Sequence, residues 1–141
     1  MEITERRTAD IVTLSLSGKL DTTTAKAFEE KILSHIESGD RRFIIDLARL
    51  DYISSSGLRV LVSAAKRLAN DNGKIVLCSL KDPVREVFKI VGFLSVFPAY
   101  GSHDEAISNL WPQTMSALES KFELRQRGQM AVIFSSTEAA R

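Results

Sequence analysis

The stretch IIDLARLDYISSSGL, residues 44–58, contains the clearest structural signal in this chain of 141 residues. The run Phe43–Leu47 is short and almost continuously apolar, which is typical of a buried central strand. Ser54 is a good N-cap for a following helix, because its hydroxyl can accept a hydrogen bond from a free N–H of the first turn. The pattern predicts a buried strand that ends at Asp46, a short loop anchored by Leu50 and Ile53, and a helix that begins near Ser54.

Strands and helices alternate on both sides of this stretch. Residues 11–20 alternate between apolar and polar side chains, which predicts a half-buried strand, and residues 2–8 predict a short polar arm beside it. The cap-type residues 21–24 predict the start of a helix that ends at Gly39. Its apolar stripe, at spacings of three and four, consists of Ala25, Phe28, Ile32, Leu33 and Ile36.

The second half of the chain continues the alternation. We expect the second helix to end at Asn72 and a buried strand to follow at 75–78. A third helix is then expected, capped by Asp82, with Pro83 at its first position and Gly92 at its end. An edge strand at 96–100 and a helix from the capping box 102–105 through Leu110 complete the pattern. The apolar positions expected for the second helix are Leu58, Leu61, Val62, Ala65, Leu68 and Ala69.

The order β-β-α-β-α-β-α-β-α predicts an α/β fold. We expect a mixed, mostly parallel sheet of about four or five strands with about four helices and right-handed crossovers. Residues 1–112 form one expected domain, and Trp111-Pro112 is a natural boundary. Residues 113–141 are a C-terminal extension, partly helical or flexible, for which a frayed tail and a docking segment are both open interpretations.

Composition excludes several classes of protein. The net charge of +1 argues against a dominant nucleic-acid surface. One cysteine excludes an internal disulfide framework, and two distant histidines leave few ways to build a metal site. No apolar run is long enough to span a bilayer and no secretory signal is evident, so we expect a cytoplasmic protein without a metal or other cofactor.

Gly57 and the serines before it have two interpretations on spacing alone. Glycine is about 1 kcal/mol less favourable than alanine within a helix. Its use at position 57 indicates that backbone approaches a neighbouring loop or a partner closely. The plainer interpretation is a serine-rich cap with a packing glycine, and the local pattern leaves both open.

Two motifs together resemble a known family. They are DLxxLxxIxSSGL over residues 46–58 and LxGxLD over residues 16–21. Together they resemble the STAS-domain family, and more narrowly the bacterial anti-sigma factor antagonists, over about residues 1–112. The resemblance implies a STAS-like fold and a switch protein without catalytic activity.

The resemblance also implies a mechanism and a modification site. In this family the unmodified antagonist binds an anti-sigma factor that is also a serine kinase, and so frees the sigma factor. Phosphorylation ends the binding, and a metal-dependent serine phosphatase restores it. The family's phosphorylated serine directly precedes the helix glycine, which implies Ser56 here, with Ser55 as the alternative acceptor. Stricter members have an acidic residue where this chain has Ser54.

Other residues are candidates for the same site. Asp21 is a helix cap, a partner contact, or both, and Asp46 is expected to order the loop after its strand by accepting backbone N–H groups. Arg59 contacts a partner or a phosphate, or belongs to an ordinary solvated helix face. The expected partner-binding residues are Asp21, Ser54, Ser55, Ser56, Gly57 and Arg59.

Rival functions have weaker support. Hydrolase chemistry needs a base beside the serine, and neither His35 nor His103 is expected there. No Gly-x-Ser-x-Gly elbow and no phosphate-gripping glycine loop occurs, so we expect no catalytic residues. The remaining alternative is a STAS interaction module without phosphorylation, in a stress-signalling or lipid-transport assembly.

Overall fold

The computed structural model describes residues 1–110. The elements are β1 (Glu2–Thr8), β2 (Ile11–Leu20), α1 (Thr22–Glu37), β3 (Arg42–Ile53), α2 (Ser55–Ala69), β4 (Lys74–Cys78), α3 (Asp82–Ile90), a 3₁₀ helix (Phe93–Ser95) and β5 (Ala99–Tyr100). Residues 103–110 are helical. Met1–Ala106 form one compact unit. The expected boundary at Trp111-Pro112 and the extension 113–141 lie outside the described residues and stay predictions.

The five strands form one sheet in the order β1-β2-β3-β4-β5. β1 pairs antiparallel with β2, and the other neighbours pair in parallel. The predicted mixed, mostly parallel sheet and the predicted element order are confirmed. Because β2 and β3 run in parallel, the two helices that follow them both begin at the same edge of the sheet.

One face of the sheet packs against the helices in a single apolar cluster. α1 buries the predicted stripe except Leu33, which is only partly buried. Buried residues of the opposite face alternate with those of the cluster along the strands. The helix-facing cluster includes Val12, Leu14, Leu16, Phe28, Ile32, Phe43, Ile45, Leu47, Leu61, Leu77 and Phe88. The opposite face buries Ile11, Thr13, Ile44, Val76 and Cys78.

The prediction that β3 ends in a loop at Asp46 is wrong. The strand continues to Ile53 and stays paired with β2, with register shifts on both sides of Gly18. From Ser15 to Leu20 β2 advances five residues, whereas its partner advances seven, from Asp46 to Ile53. The two extra residues are absorbed as β-bulges. Leu50 and Ile53 are buried as expected, but they lie in the strand.

Smaller corrections concern element ends. The N-cap of α3 is Lys81, without a side-chain hydrogen bond, and Asp82 is the first helical residue. The helix thus begins one residue earlier than predicted, and Pro83 occupies its second position. Proline is tolerated there because no N–H of the first turn has an acceptor within the helix. β5 contains two residues instead of the five expected at 96–100. In α2, Val60 and Ala64 are buried, whereas Val62, Ala65 and Ala69 are not.

Candidate functional site

The starts of α1 and α2 meet at the edge where β2 and β3 end. The Ser54 N–H donates to the Leu20 carbonyl at 2.8 Å, so the last residue of β2 is hydrogen-bonded to the residue that follows β3. The Thr22 and Ser56 hydroxyl oxygens are 3.5 Å apart. The structure therefore brings the Asp21 region beside the serine loop, as expected for a sheet of this order.

The three serines take different places at the start of α2. Ser54 is the N-cap, and its hydroxyl oxygen accepts from the Gly57 N–H at 3.3 Å. Ser55 and Ser56 are the first two helical residues. Ser55 is exposed and Ser56 is half-buried beside Thr22. The cap uses Ser54 alone, so the hydroxyls of Ser55 and Ser56 are not needed for it.

Gly57 is buried, and packing accounts for it. A Cβ at this position would lie 2.7 Å from Leu20 Cγ and 3.1 Å from Ile53 Cγ1. The first distance is shorter than real Cβ contacts, so a side chain would push the helix away from the strand ends. The close approach inferred from the sequence is thus to Leu20 and Ile53 of the same chain. It holds the start of α2, with its serines, close to the ends of β2 and β3.

Asp21 is the N-cap of α1 in a complete capping box. Its Oδ1 accepts from the N–H groups of Thr23 and Thr24 at 3.0 and 3.1 Å, and from the Thr23 hydroxyl at 2.7 Å. The Asp21 N–H donates to the Thr24 hydroxyl at 2.9 Å. Hydrogen bonds from Thr23, and then from Thr24, hold the pKa of the carboxyl below its ordinary value. The capping role is therefore present, whether or not a partner also touches Asp21.

A shallow groove of about 280 Å³ lies between α1 and α2 beside Ser56. Its lining residues are Ala25, Lys26, Glu29, Ser56, Arg59, Val60 and Ser63. The side chains of Lys26 and Arg59 are exposed, and they bring positive charge from two helices to one place.

Asp46 acts at some remove from the serines. Its Oδ1 accepts from the Ala48 N–H at 3.0 Å, across the first bulge of β3. This is the local backbone hydrogen bond expected of the residue, but it orders a bulge within a strand. Asp46 also lines a separate polar cleft of about 410 Å³, together with Arg6, Ser15 and Arg49 among others.

Two contributors to the serine surface, which comprises the starts of α1 and α2 around residues 54–56, were not identified from the sequence. Thr22 is one member of a cap cluster, and Lys26 follows it by one helical turn. The i, i+4 spacing of Thr22 and Lys26 was readable in the sequence, but their position opposite Ser56 depends on the pairing of β2 with β3.

Other chemistry-bearing side chains have structural partners. His35 lies 3.0 Å from Asp40 and 3.3 Å from Glu5, and His103 Nε2 lies 2.8 Å from the Thr13 hydroxyl. Burial raises the pKa of the Cys78 thiol to about 11. Within residues 1–110, no cluster of three potential metal ligands is present. In the same part of the chain, no helix is long and apolar enough to cross a membrane.

The sequence of this chain was compared with models of protein families. The model of the STAS domain matches residues 2–106. The chain belongs to the STAS-domain family. The match covers every strand described above and both helix starts that form the serine surface.

Relatives within the family carry regulatory names. BtrV of Bordetella bronchiseptica, assigned by its name to the anti-sigma factor antagonists, is 42% identical over 106 residues, covering 75% of this chain and 91% of BtrV. The anti-sigma-B factor antagonist of Listeria monocytogenes is 31% identical over 96 residues, covering 68% of this chain and 83% of the relative. The unphosphorylated anti-sigma factor antagonist SpoIIAA shares the fold, with a TM-score of 0.69, 24% identity and coverage of 77% and 96%.

Proposed function

We propose that this protein is an anti-sigma factor antagonist whose binding is ended by phosphorylation of Ser56. The names and coverage of the relatives support the first part of the proposal. The observation that carries the second part is the position of Ser56 at the start of α2, beside Thr22 and outside the Ser54 cap. A modification there changes the surface shared by two helices without removing a hydrogen bond from the helix cap.

The start of α2 suits a phosphate physically. Free N–H groups and the positive end of the helix dipole favour an anion at this point. A phosphate adds about −1.5 to −2 charges and three acceptor oxygens. A partner surface complementary to the unmodified serines then meets bulk and negative charge, so binding is lost while the fold is retained.

In this proposal the partner is an anti-sigma factor with serine kinase activity, and a serine phosphatase reverses the modification. Binding of the unphosphorylated form releases the sigma factor. The protein itself is not an enzyme, carries no cofactor, binds no nucleic acid and works in the cytoplasm. The partner surface consists of Asp21, Ser54, Ser55, Ser56, Gly57 and Arg59, with Gly57 acting through the backbone it places.

The first experiment is mass spectrometry of the protein from its own cells, before and after treatment with a serine phosphatase. We expect a phosphate that maps to Ser56, disappears in Ser56→Ala and persists in Ser55→Ala. The reverse result with the two variants moves the acceptor to Ser55, which is the more exposed hydroxyl. A protein without phosphate under all growth conditions contradicts the switch and leaves an unregulated STAS interaction module.

Ser56→Glu tests the consequence for binding. The carboxylate is expected to abolish binding to the cognate anti-sigma factor, and the melting temperature should stay near that of the wild type, since an acidic group at a helix start is favourable by about 0.3–1 kcal/mol. Calorimetric titration and thermal unfolding measure the two effects. Ser34→Glu, on the exposed far part of α1, is the charge control and should bind normally. A large drop in melting temperature for Ser56→Glu assigns Ser56 a structural role instead.

A further inference from the structure

The groove between α1 and α2 presents two cations directly beside the proposed phosphorylation site. On α1, Lys26 follows Thr22 by four residues, and on α2, Arg59 follows Ser56 by three, so each pair shares one helix face. The Thr22 and Ser56 hydroxyl oxygens are 3.5 Å apart, and Lys26 and Arg59 line the groove together with Ser56.

These cations have no acidic partner in the described part of the chain. Every ion pair between residues 1 and 110 with an N–O distance up to 4.0 Å involves other side chains than Lys26 and Arg59. Glu29 is the one carboxylate among the described residues that line the groove. The lining therefore carries two positive charges and one negative charge, a net charge of +1.

We propose that this groove receives the phosphate of phosphorylated Ser56, with Arg59 and Lys26 as its cationic partners. The inference rests on the proposed function, because it assigns a place to that modification. A guanidinium fork pairs with phosphate oxygens through two parallel hydrogen bonds, an ammonium acts as a compact charge, and the Thr22 hydroxyl donates a further bond. The phosphate is thus held against its own domain, and the net charge of the groove changes from +1 to about −0.5 to −1.

The arrangement separates Ser56 from Ser55. Ser56 lines the groove, whereas Ser55 is exposed and is absent from the lining. A phosphate on Ser55 would lie outside the groove lining, away from Lys26 and in reach of Arg59 alone, which follows Ser55 by four residues. Pairing with both cations is therefore expected for a phosphate on Ser56 and not for one on Ser55.

The test incorporates phosphoserine genetically at position 56 of the full chain and follows its titration by phosphorus NMR. Pairing with cations lowers the phosphate pKa, and two exposed pairs correspond to a shift of about half a unit. The double variant Lys26→Gln/Arg59→Gln should raise the midpoint by that amount. Arg85→Gln/Lys89→Gln removes the same charge from α3, outside the groove, and should leave the midpoint unchanged.

Phosphoserine placed at position 55 is the matched control, and its midpoint should respond less to Lys26→Gln/Arg59→Gln, because only Arg59 is in reach of that position. Equal midpoints with and without the two groove cations at position 56 overturn the inference, as does an equal response at position 55. Circular dichroism verifies that each protein is folded. Since the phosphate is installed without a kinase, the result is independent of whether cells phosphorylate Ser56, and failure of the proposed function would appear in the mass-spectrometric experiment alone.

Discussion

Gly57 limits substitution in the serine loop more strictly than its neighbours do. Alanine would gain about 1 kcal/mol of helix propensity, but overpacking against a fully buried side chain costs about 1–3 kcal/mol. Leu20 is 0% exposed and its Cγ would lie 2.7 Å from the new methyl group, so the clash outweighs the gain. We expect Gly57→Ala to lower the free energy of unfolding by about 1 kcal/mol in urea titrations. Ser55→Ala should have little effect, and a Gly57→Ala protein as stable as the wild type would show that Leu20 can move.

Asp21 combines a capping role with a proposed contact, and two substitutions separate them. Asp21→Ala removes the acceptor of two N–H groups, and loss of an N-cap costs about 0.5–2 kcal/mol. Asp21→Asn keeps a cap of similar strength and removes only the charge. We therefore expect urea unfolding to show a clear loss for Ala and almost none for Asn. Weaker binding of Asp21→Asn to the anti-sigma factor then measures the contact itself, and equal stability losses for both variants contradict the assignment of Asp21 as a cap.

At the scale of elements, a network of charges fastens the edge strand β1 to the end of α1. Arg7 donates to both oxygens of Asp40 at 2.8 and 3.0 Å, and Lys31 lies 2.6 Å from Glu5. His35 contacts both carboxylates, and its side chain is only 14% exposed. β1 has only one neighbouring strand and no fully buried side chain, so these contacts add to the antiparallel pairing with β2 that attaches it.

Asp40→Asn should loosen this edge without unfolding the domain. The amide keeps the shape of Asp40 but loses its charge-assisted hydrogen bonds, and we expect the global stability to fall by about 0.5–1 kcal/mol. The amides of β1 should exchange with deuterium several-fold faster, while those of β3 keep their protection. Asp71→Asn, in the weaker and more exposed pair with Arg41, is the control. Unchanged exchange in β1 would show that its pairing with β2 is sufficient.

The elements were largely predictable from sequence, because caps, glycine stops and apolar periodicity are local signals. The starts of α1 and α2 were predicted from the cap-type residues 21–24 and from Ser54. The extension of β3 to Ile53 was not predictable in this way, since two bulges interrupt the alternation that identifies a strand. For the same reason the approach of Thr22 to Ser56 was not predictable, because it depends on how β2 and β3 align across those bulges.

At the scale of the whole domain, several titratable groups are held with lowered pKa values. Burial, followed by the nearby Arg6 charge, lowers the pKa of His103, whose ring contacts the fully buried Thr13. The pKa of Asp40 is lowered first by its hydrogen bonds from Arg7, and the pKa of Glu5 first by its hydrogen bond from Lys31. Each of these groups therefore binds a proton less readily in the folded protein than in the unfolded chain.

The domain should therefore lose stability in two steps as the pH falls. Below about pH 6.5 the unfolded chain protonates His103 before the folded protein does, and below about pH 4 the same holds for the carboxyl groups. Urea unfolding at pH 7.5, 5.5 and 4 measures both steps. His103→Gln keeps a polar side chain near Thr13 but cannot titrate, so its stability should change less between pH 7.5 and 5.5 than that of the wild type. An equal loss in both proteins over this interval would assign the first step to another group.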